Sequence, residues 1–167
     1  MEDLTAEWLE FNGYFVRKSV LVGRRANGGF DGELDVVAVH PLTRHLIHVE
    51  CSLDADPWAR REERFAAKFE RGRKHIAALF DGLELERAPD QIALLQFGGG
   101  TRTHIGGSRI VWVADFVQDM MSELSLRSPD KRAVPSTFPL LRTLQLAAQP
   151  YKKRKLDNRL LETSIEQ

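Results

Sequence analysis

Two acidic segments of this chain carry carboxylates where their neighbours call for burial. Gly32-Glu33-Leu34-Asp35-Val36-Val37-Ala38-Val39 and Leu46-Ile47-His48-Val49-Glu50-Cys51-Ser52 both read as β-strands from their runs of Val, Ile and Leu. A buried strand keeps a carboxylate only when the charge has a partner. Strand side chains alternate between faces, which predicts Glu33 and Asp35 on one face and Leu34 and Val36 on the other, and groups His48, Glu50 and Ser52. The intervening His40-Pro41-Leu42-Thr43-Arg44-His45 is a Pro-initiated polar turn. It is short enough to fold the strands into an antiparallel hairpin and bring Asp35 beside Glu50. Two carboxylates that close repel, and each is driven toward protonation unless a cation sits between them. A divalent metal satisfies that demand, and oxygen-only ligands favour a hard ion such as Mg²⁺ over zinc. The competing reading is an edge hairpin with a solvated acidic face and Glu50 paired to an arginine.

The elements that must position these groups follow from periodicity. Residues 2–13 place Leu4, Trp8 and Phe11 at helical spacing and close on Asn12-Gly13, a helix stop. Residues 14–22 predict a strand, and Arg24-Arg25-Ala26-Asn27-Gly28-Gly29 a basic, glycine-rich loop. From Asp56-Pro57 to Phe80 the pattern is a long helix, with Asp56 expected at the N-cap and Pro57 at the first helical position. Phe65, Phe69, Gly72, Ile76 and Phe80 form its core stripe; Arg61, Lys68 and His75 flank the stripe, and Arg64 and Arg71 lie further round on a basic face. Such a face is either solvated or able to track a phosphate backbone. Residues 92–97 and 109–113 predict two more strands. The Gly98–Gly107 stretch between them lacks the Gly-Lys-Ser/Thr ending of a phosphate-cradling loop and reads as a hairpin or loop. A helix over 114–126, a linker over 128–135, a short helix through Leu140, Leu141, Leu144 and Leu146, and the basic cluster Tyr151-Lys152-Lys153-Arg154-Lys155 complete the chain.

At 167 residues with 43% hydrophobic content the chain supports one core rather than two. Lys+Arg and Asp+Glu balance at 24 each, so a nucleic-acid contact has to rely on local patches and not on the net field. The single cysteine, Cys51, cannot form an internal disulfide, and no apolar run suits a membrane span or signal peptide. The expectation is a cytoplasmic protein with no membrane partner.

The order helix, strand, strand with Asp, strand with Glu, long helix, strand, strand, helix resembles the PD-(D/E)xK nuclease superfamily, the restriction-endonuclease-like fold. Gly32-Glu33-Leu34-Asp35-Val36-Val37-Ala38 is similar to the Gly-Glu-Ile-Asp-Leu-Ile-Ala strand of its small bacterial YraN-like, Holliday-junction-resolvase-like branch, and His48-Val49-Glu50-Cys51-Ser52 to the Phe-Val-Glu-Val-Lys strand. The first helix, Glu2-Asp3-Leu4-Thr5-Ala6-Glu7-Trp8-Leu9 before Gly13-Tyr14, is similar to the Glu-x-x-Ala-x-x-Tyr-Leu helix that precedes Gly-Tyr there. The resemblance implies an α/β fold with a central mixed sheet flanked by helices. It implies a nuclease-like core over 1–126, with a C-terminal helix and basic tail over 127–167 on or extending from it. It also implies metal-dependent hydrolysis of a phosphodiester in DNA, with Mg²⁺ or Mn²⁺ held by Asp35 and Glu50, and Glu2 as a supplementary acid with Glu7 as the fallback. Cleavage of both strands would call for a homodimer.

The chain departs from that pattern at the motif lysine, where it has Ser52. A serine hydroxyl can hydrogen-bond an attacking water but brings no positive charge. Three accounts compete: Ser52 suffices; the cation has moved to the following helix, where Lys68 borders the buried stripe and can reach the sheet edge; or the chain no longer cuts and is an inactive module that binds DNA or a protein. A small α/β domain unrelated to nucleic acid is the remaining alternative. His48 as a general base is the minority reading, since strand histidines beside carboxylates are more often packed than catalytic. Cys51 is expected to point away as a small buried hydrophobe.

Overall fold

Helix α1 (Glu2–Phe11) leads into strands β1 (Phe15–Val22), β2 (Gly32–Val39) and β3 (Leu46–Ser52). Helix α2 (Trp58–Leu79), strands β4 (Asp90–Leu95), β5 (His104–Ile105) and β6 (Ser108–Trp112), and helices α3 (Val113–Ser125) and α4 (Pro139–Ala147) follow. The computed structural model describes residues 1–83, 88–98 and 101–149, so the basic cluster at 151–155 lies outside the described residues. The strands form one six-stranded mixed sheet in the order β1-β2-β3-β4-β6-β5. Strands β1 to β3 are an antiparallel meander, β3, β4 and β6 run parallel, and β5 closes the edge as a hairpin with β6. The chain is therefore of the α/β class, with helices on both faces of a mixed sheet.

Helix α2 covers one face. Its Phe65, Phe69 and Ile76 are almost fully buried against Val37, Val39, Ala93, Leu95 and Ile105. Each such side chain contributes about 1.5–3 kcal/mol by leaving water. Gly106, at φ +57° in the two-residue β5–β6 turn, brings this hairpin onto the same helix: a Cβ there would fall 2.5 Å from the Ala66 nitrogen, and the Gly106 N–H donates to Glu62. The opposite face, with Val36, Ala38, Ile47, Val49, Ile92 and Leu94, is covered by Leu9 of α1 and Val113, Phe116 and Val117 of α3. Helix α4 then packs on α1 and α3 through Leu141. No described helix is long and apolar enough to cross a membrane.

Two local expectations are corrected. Pro57, and not Asp56, holds the N-cap position of α2, at φ −52° and ψ 140° with no side-chain cap. The Asp56 carboxylate is drawn sideways to Arg64, whose Nη1 donates to it at 2.9 Å. Leu34 and Val36 do not share a face either: Leu34 packs on the α2 side with Val37, and Val36 packs on the α1 side. Strand β1 switches in the same place, with Val16 on the α1 side and Val20 and Val22 on the α2 side. The register runs Lys18↔Val36 and Val20↔Leu34 with no Ser19–Asp35 pair between them, and Ser19 sits at φ +49°. A backbone distortion at that rung turns both strands over together, so each can bury Val or Leu on both faces of the sheet.

Candidate functional site

The site lies where the sheet forks. Pairing of β2 with β3 ends at Val36↔Val49, and the next rung would join Asp35 to Glu50. Instead β2 stays with β1 down to Gly32↔Val22, and β3 stays with β4 up to Ser52↔Leu95. The strands part at the two carboxylates. The Cys51 N–H just past the fork donates to Asp35 Oδ2 at 2.8 Å, so the side chain replaces a lost ladder acceptor and is held in place by it.

Lys68, from the middle of α2, reaches into this fork. Its ammonium donates to Glu50 Oε2 at 2.5 Å and lies 3.1 Å and 3.2 Å from the two Asp35 oxygens. Glu50 is fully buried and Asp35 nearly so. Burial, then the charge of Glu50, pushes Asp35 up to about 6, against the pull of Lys68 and the Cys51 N–H. Burial also opposes ionisation of Glu50, but there the His48 hydrogen bond and the Lys68 charge prevail and hold the group below its ordinary value. Desolvation works against the charge on Lys68, and the two carboxylates outweigh it, raising the ammonium above the ordinary lysine value. Lys68 is therefore a cation and hydrogen-bond donor, not a base.

A relay running from the surface into the core stands behind Glu50. Arg73 Nη1 donates to Gln91 Oε1 at 2.8 Å, which fixes the orientation of the amide. The Gln91 Nε2 then donates to Phe69 O at 2.9 Å and to His48 Nδ1 at 3.1 Å. With Nδ1 accepting, the ring proton is assigned to Nε2, which donates to Glu50 Oε1 at 2.8 Å. Both ring nitrogens are committed and His48 is fully buried, so it has no lone pair to offer a water and cannot serve as general base. Its effect is to occupy Oε1 of Glu50 and leave Oε2 facing the fork. The relay fits under α2 because residue 72 is glycine: a Cβ there would lie 2.5 Å from His48 Cε1 and 2.9 Å from Gln91 Nε2.

Ser52 is on the same face as Glu50, as its spacing predicts, but its hydroxyl donates away from the fork to Asp54 Oδ2 at 2.5 Å. Arg64 locks that arrangement, with Nη2 donating to Asp54 and Nη1 to Asp56. Burial raises Asp54, but Ser52, the Asp56 N–H and Arg64 together hold it below its ordinary range. Arg61, expected beside the core stripe, is within it at 2% exposure; Nη1 donates to Phe97 O, Nε lies 3.6 Å from Asp54 Oδ1, and among the described residues Nε and Nη2 have no hydrogen-bond partner.

The first-helix acids are placed elsewhere. Helix α1 packs on the sheet face opposite α2, and among the described residues no three His, Cys, Asp or Glu side chains gather to hold an ion. Glu2 therefore does not join Asp35 and Glu50, although its charge is felt by Cys51 on its own side of the sheet. Glu7 accepts from the Leu140 and Leu141 N–H groups at 3.0 Å, capping α4. Cys51 turns toward α1 as alternation predicts, and burial, with the Asp35 charge, pushes its thiol up to about 12. Asp35, Glu50 and Lys68 are thus brought together, with Ser52 at the margin and Glu2 and Glu7 outside. Gln91 and Arg73 are the members that spacing did not indicate, while Gly72, which spacing put in the core stripe, makes the room for them.

Two hard carboxylates on diverging strands, already gathered round a cation, are a donor set that fits Mg²⁺ or Mn²⁺. Such ions take one or two protein carboxylates and complete their shell with water and phosphate oxygens. No protein-family model, curated protein or solved structure matches the chain.

Proposed function

We propose that this protein is a metal-dependent nuclease of PD-(D/E)xK type, hydrolysing phosphodiesters in DNA at the fork between β2 and β3. The observation that carries the reading is the convergence of Asp35, Glu50 and the Lys68 ammonium on one point, with the lysine supplied by the helix after the acidic strands. A restriction-endonuclease-like arrangement accounts for the order of elements around that point. Mg²⁺ or Mn²⁺ at the carboxylates would polarise the scissile phosphate and lower the pKa of a bound water.

The chain's own groups do the rest. Glu50 would hold the ion through Oε2, because His48 holds Oε1. Asp35 must be ionised to serve, and in the metal-free protein burial and the Glu50 charge hold its carboxyl at about 6, so a bound cation would have to pull it down. Lys68 stands between the two carboxylates, and with an ion held there by Asp35 and Glu50 its ammonium would be the chain's own cation at the fork, a donor for an attacking water or a phosphate oxygen. In that role it would offset the charge that builds in the transition state, as a motif lysine would have done. Ser52, its hydroxyl donating a hydrogen bond to Asp54, is a bystander in this account.

The ammonium's hold on both carboxylates also favours a second reading, a catalytically silent module in which Lys68 permanently replaces the ion. A supercoiled plasmid incubated with Mg²⁺ or Mn²⁺ separates them. Nicking is expected from the wild-type protein, lost in Asp35→Ala and Glu50→Ala, reduced about 10²–10³-fold in Lys68→Ala and within a few-fold of wild type in Ser52→Ala. Wild-type protein that retains DNA but never nicks it would establish the silent module; a severe Ser52→Ala with a mild Lys68→Ala would return the lysine's role to Ser52.

A further inference from the structure

One turn further along α2 from Lys68, a cleft of about 360 Å³ opens between α2 and the β1–β2 loop, lined by Arg25, Asp31, Glu70, Arg71, Lys74 and His75. On α2, Arg64, Lys68, Arg71 and His75 follow one another at helical spacing, so the cleft continues the stripe on which the Lys68 ammonium sits. A helix rises about 1.5 Å per residue, which puts Arg71 and Lys74 roughly 4.5 Å and 9 Å along the axis from Lys68.

The charges in this cleft are gathered but not spent. Asp31 collects three cationic or cationisable groups: Arg25 Nε at 3.1 Å, His75 Nε2 at 3.1 Å and Lys74 Nζ at 3.4 Å. The first two of these contacts hold its carboxyl below the usual range, so one negative charge organises the set. Arg25 uses only Nε, leaving both of its Nη groups as donors, and the Lys74 ammonium keeps further donors free. Glu70, the other acid, is turned to Arg73 at 2.8 Å. Arg71 makes no hydrogen bond or ion pair among the described residues, yet it is half-buried with its guanidinium in the space over Gly32, where a Cβ would lie 2.5 Å from it. Gly32 opens the strand that carries Asp35. A half-buried guanidinium without an acceptor carries a desolvation cost that a phosphate oxygen would relieve.

We infer that Arg71, with Lys74 and Arg25, forms a phosphate subsite that grips the substrate strand beside the scissile phosphodiester. One phosphate lies about every 3.4 Å of axis along a DNA strand, so the subsite takes a phosphate roughly one to three positions from the cut. The contacts are to the backbone, so the subsite gives affinity and register without base preference. The inference rests on the nuclease reading.

The test is binding of a fluorescent 30-base-pair duplex in EDTA over a salt series, together with plasmid nicking in Mg²⁺, for wild type, Arg71→Gln/Lys74→Gln, Arg71→Lys/Lys74→Arg and the remote Arg142→Gln. The double glutamine variant should bind tenfold or more weakly, with a slope of log K on log salt shallower by about 1–2, and should nick with a raised KM and little change in kcat. The charge-preserving variant should keep the slope, and Arg142→Gln should match wild type. Wild-type affinity and slope in the double glutamine variant, with wild type still nicking, would overturn the subsite and leave the nuclease reading intact. Wild-type protein that neither binds nor nicks would overturn both.

Discussion

Asp35 bears the main electrostatic cost of the site in the metal-free protein. Its ordinary value is 3.8 and its folded value about 6, so between those values the native state holds a proton that the unfolded chain releases. The stability that proton contributes is fully present below pH 4 and is lost as pH rises through 6, because the native state binds more protons than the unfolded state in that window. Above pH 6 the ionised Asp35 thus costs on the order of 1–3 kcal/mol. Asn at this position keeps an oxygen for the Cys51 N–H and cannot ionise. Asp35→Asn is therefore expected to melt about 2–10 °C above wild type at pH 7.5 in EDTA, with the gap closing below pH 4. Added Mg²⁺ should narrow the gap, since it stabilises only the protein with the carboxylate. A variant no more stable than wild type in EDTA would show that Asp35 is not strained by its neighbours. The acids themselves were legible in the sequence because each interrupts an apolar strand. Gln91 was not, since a glutamine at a strand start is unremarkable chemically until the fold sets its amide 3.1 Å from the His48 ring.

At the scale of elements, the site depends on the fork in the sheet and on how closely α2 lies over it. Gly72 tests the second point with a sign that runs against propensity. In an exposed helix interior Gly→Ala gains roughly 0.5–1 kcal/mol. Here the added methyl would meet His48 and Gln91 at under 3 Å, inside a relay with both partners buried or half-buried. Gly72→Ala is expected to lower Tm by several degrees and to slow nicking more than it weakens DNA binding, because Glu50 loses its fixed orientation while the basic stripe is untouched. A raised Tm with normal nicking would mean that the relay has slack. The strands and the long helix were readable from apolar periodicity, as was the grouping of His48, Glu50 and Ser52. The change of face at Ser19 and Asp35 was not, because alternation assumes an unbroken ladder and a positive φ at a serine leaves no compositional trace. Arg61 was misplaced for a related reason: periodicity put it at the edge of the stripe, and only packing against Trp58 and the Phe97 carbonyl shows that it is inside.

Over the whole molecule, the C-terminal helix is tied to the layer that backs the sheet. Leu141 is fully buried with Met120, Leu124 and Val134, and Leu4, Trp8 and Phe11 of α1 pack on the same cluster. Glu7 caps α4 across more than a hundred residues of sequence, and Gln145 donates to the Arg127 and Arg132 carbonyls while accepting from the Val134 N–H. Such a network makes α4 a load on α1, and α1 in turn covers the sheet face behind Asp35 and Glu50. Leu141→Ala should then cost about 2–5 kcal/mol, the range for a buried leucine, and lower Tm by several degrees. Because α1 belongs to both the helix cluster and the sheet cluster, the loss should be felt in one transition. Fluorescence of Trp8, isolated by Trp58→Phe and Trp112→Phe, and far-UV circular dichroism should shift together in the Leu141→Ala background. Two separated transitions, with Trp8 released first and the sheet melting at its original temperature, would instead make the C-terminal helix a separable unit whose packing does not support the site.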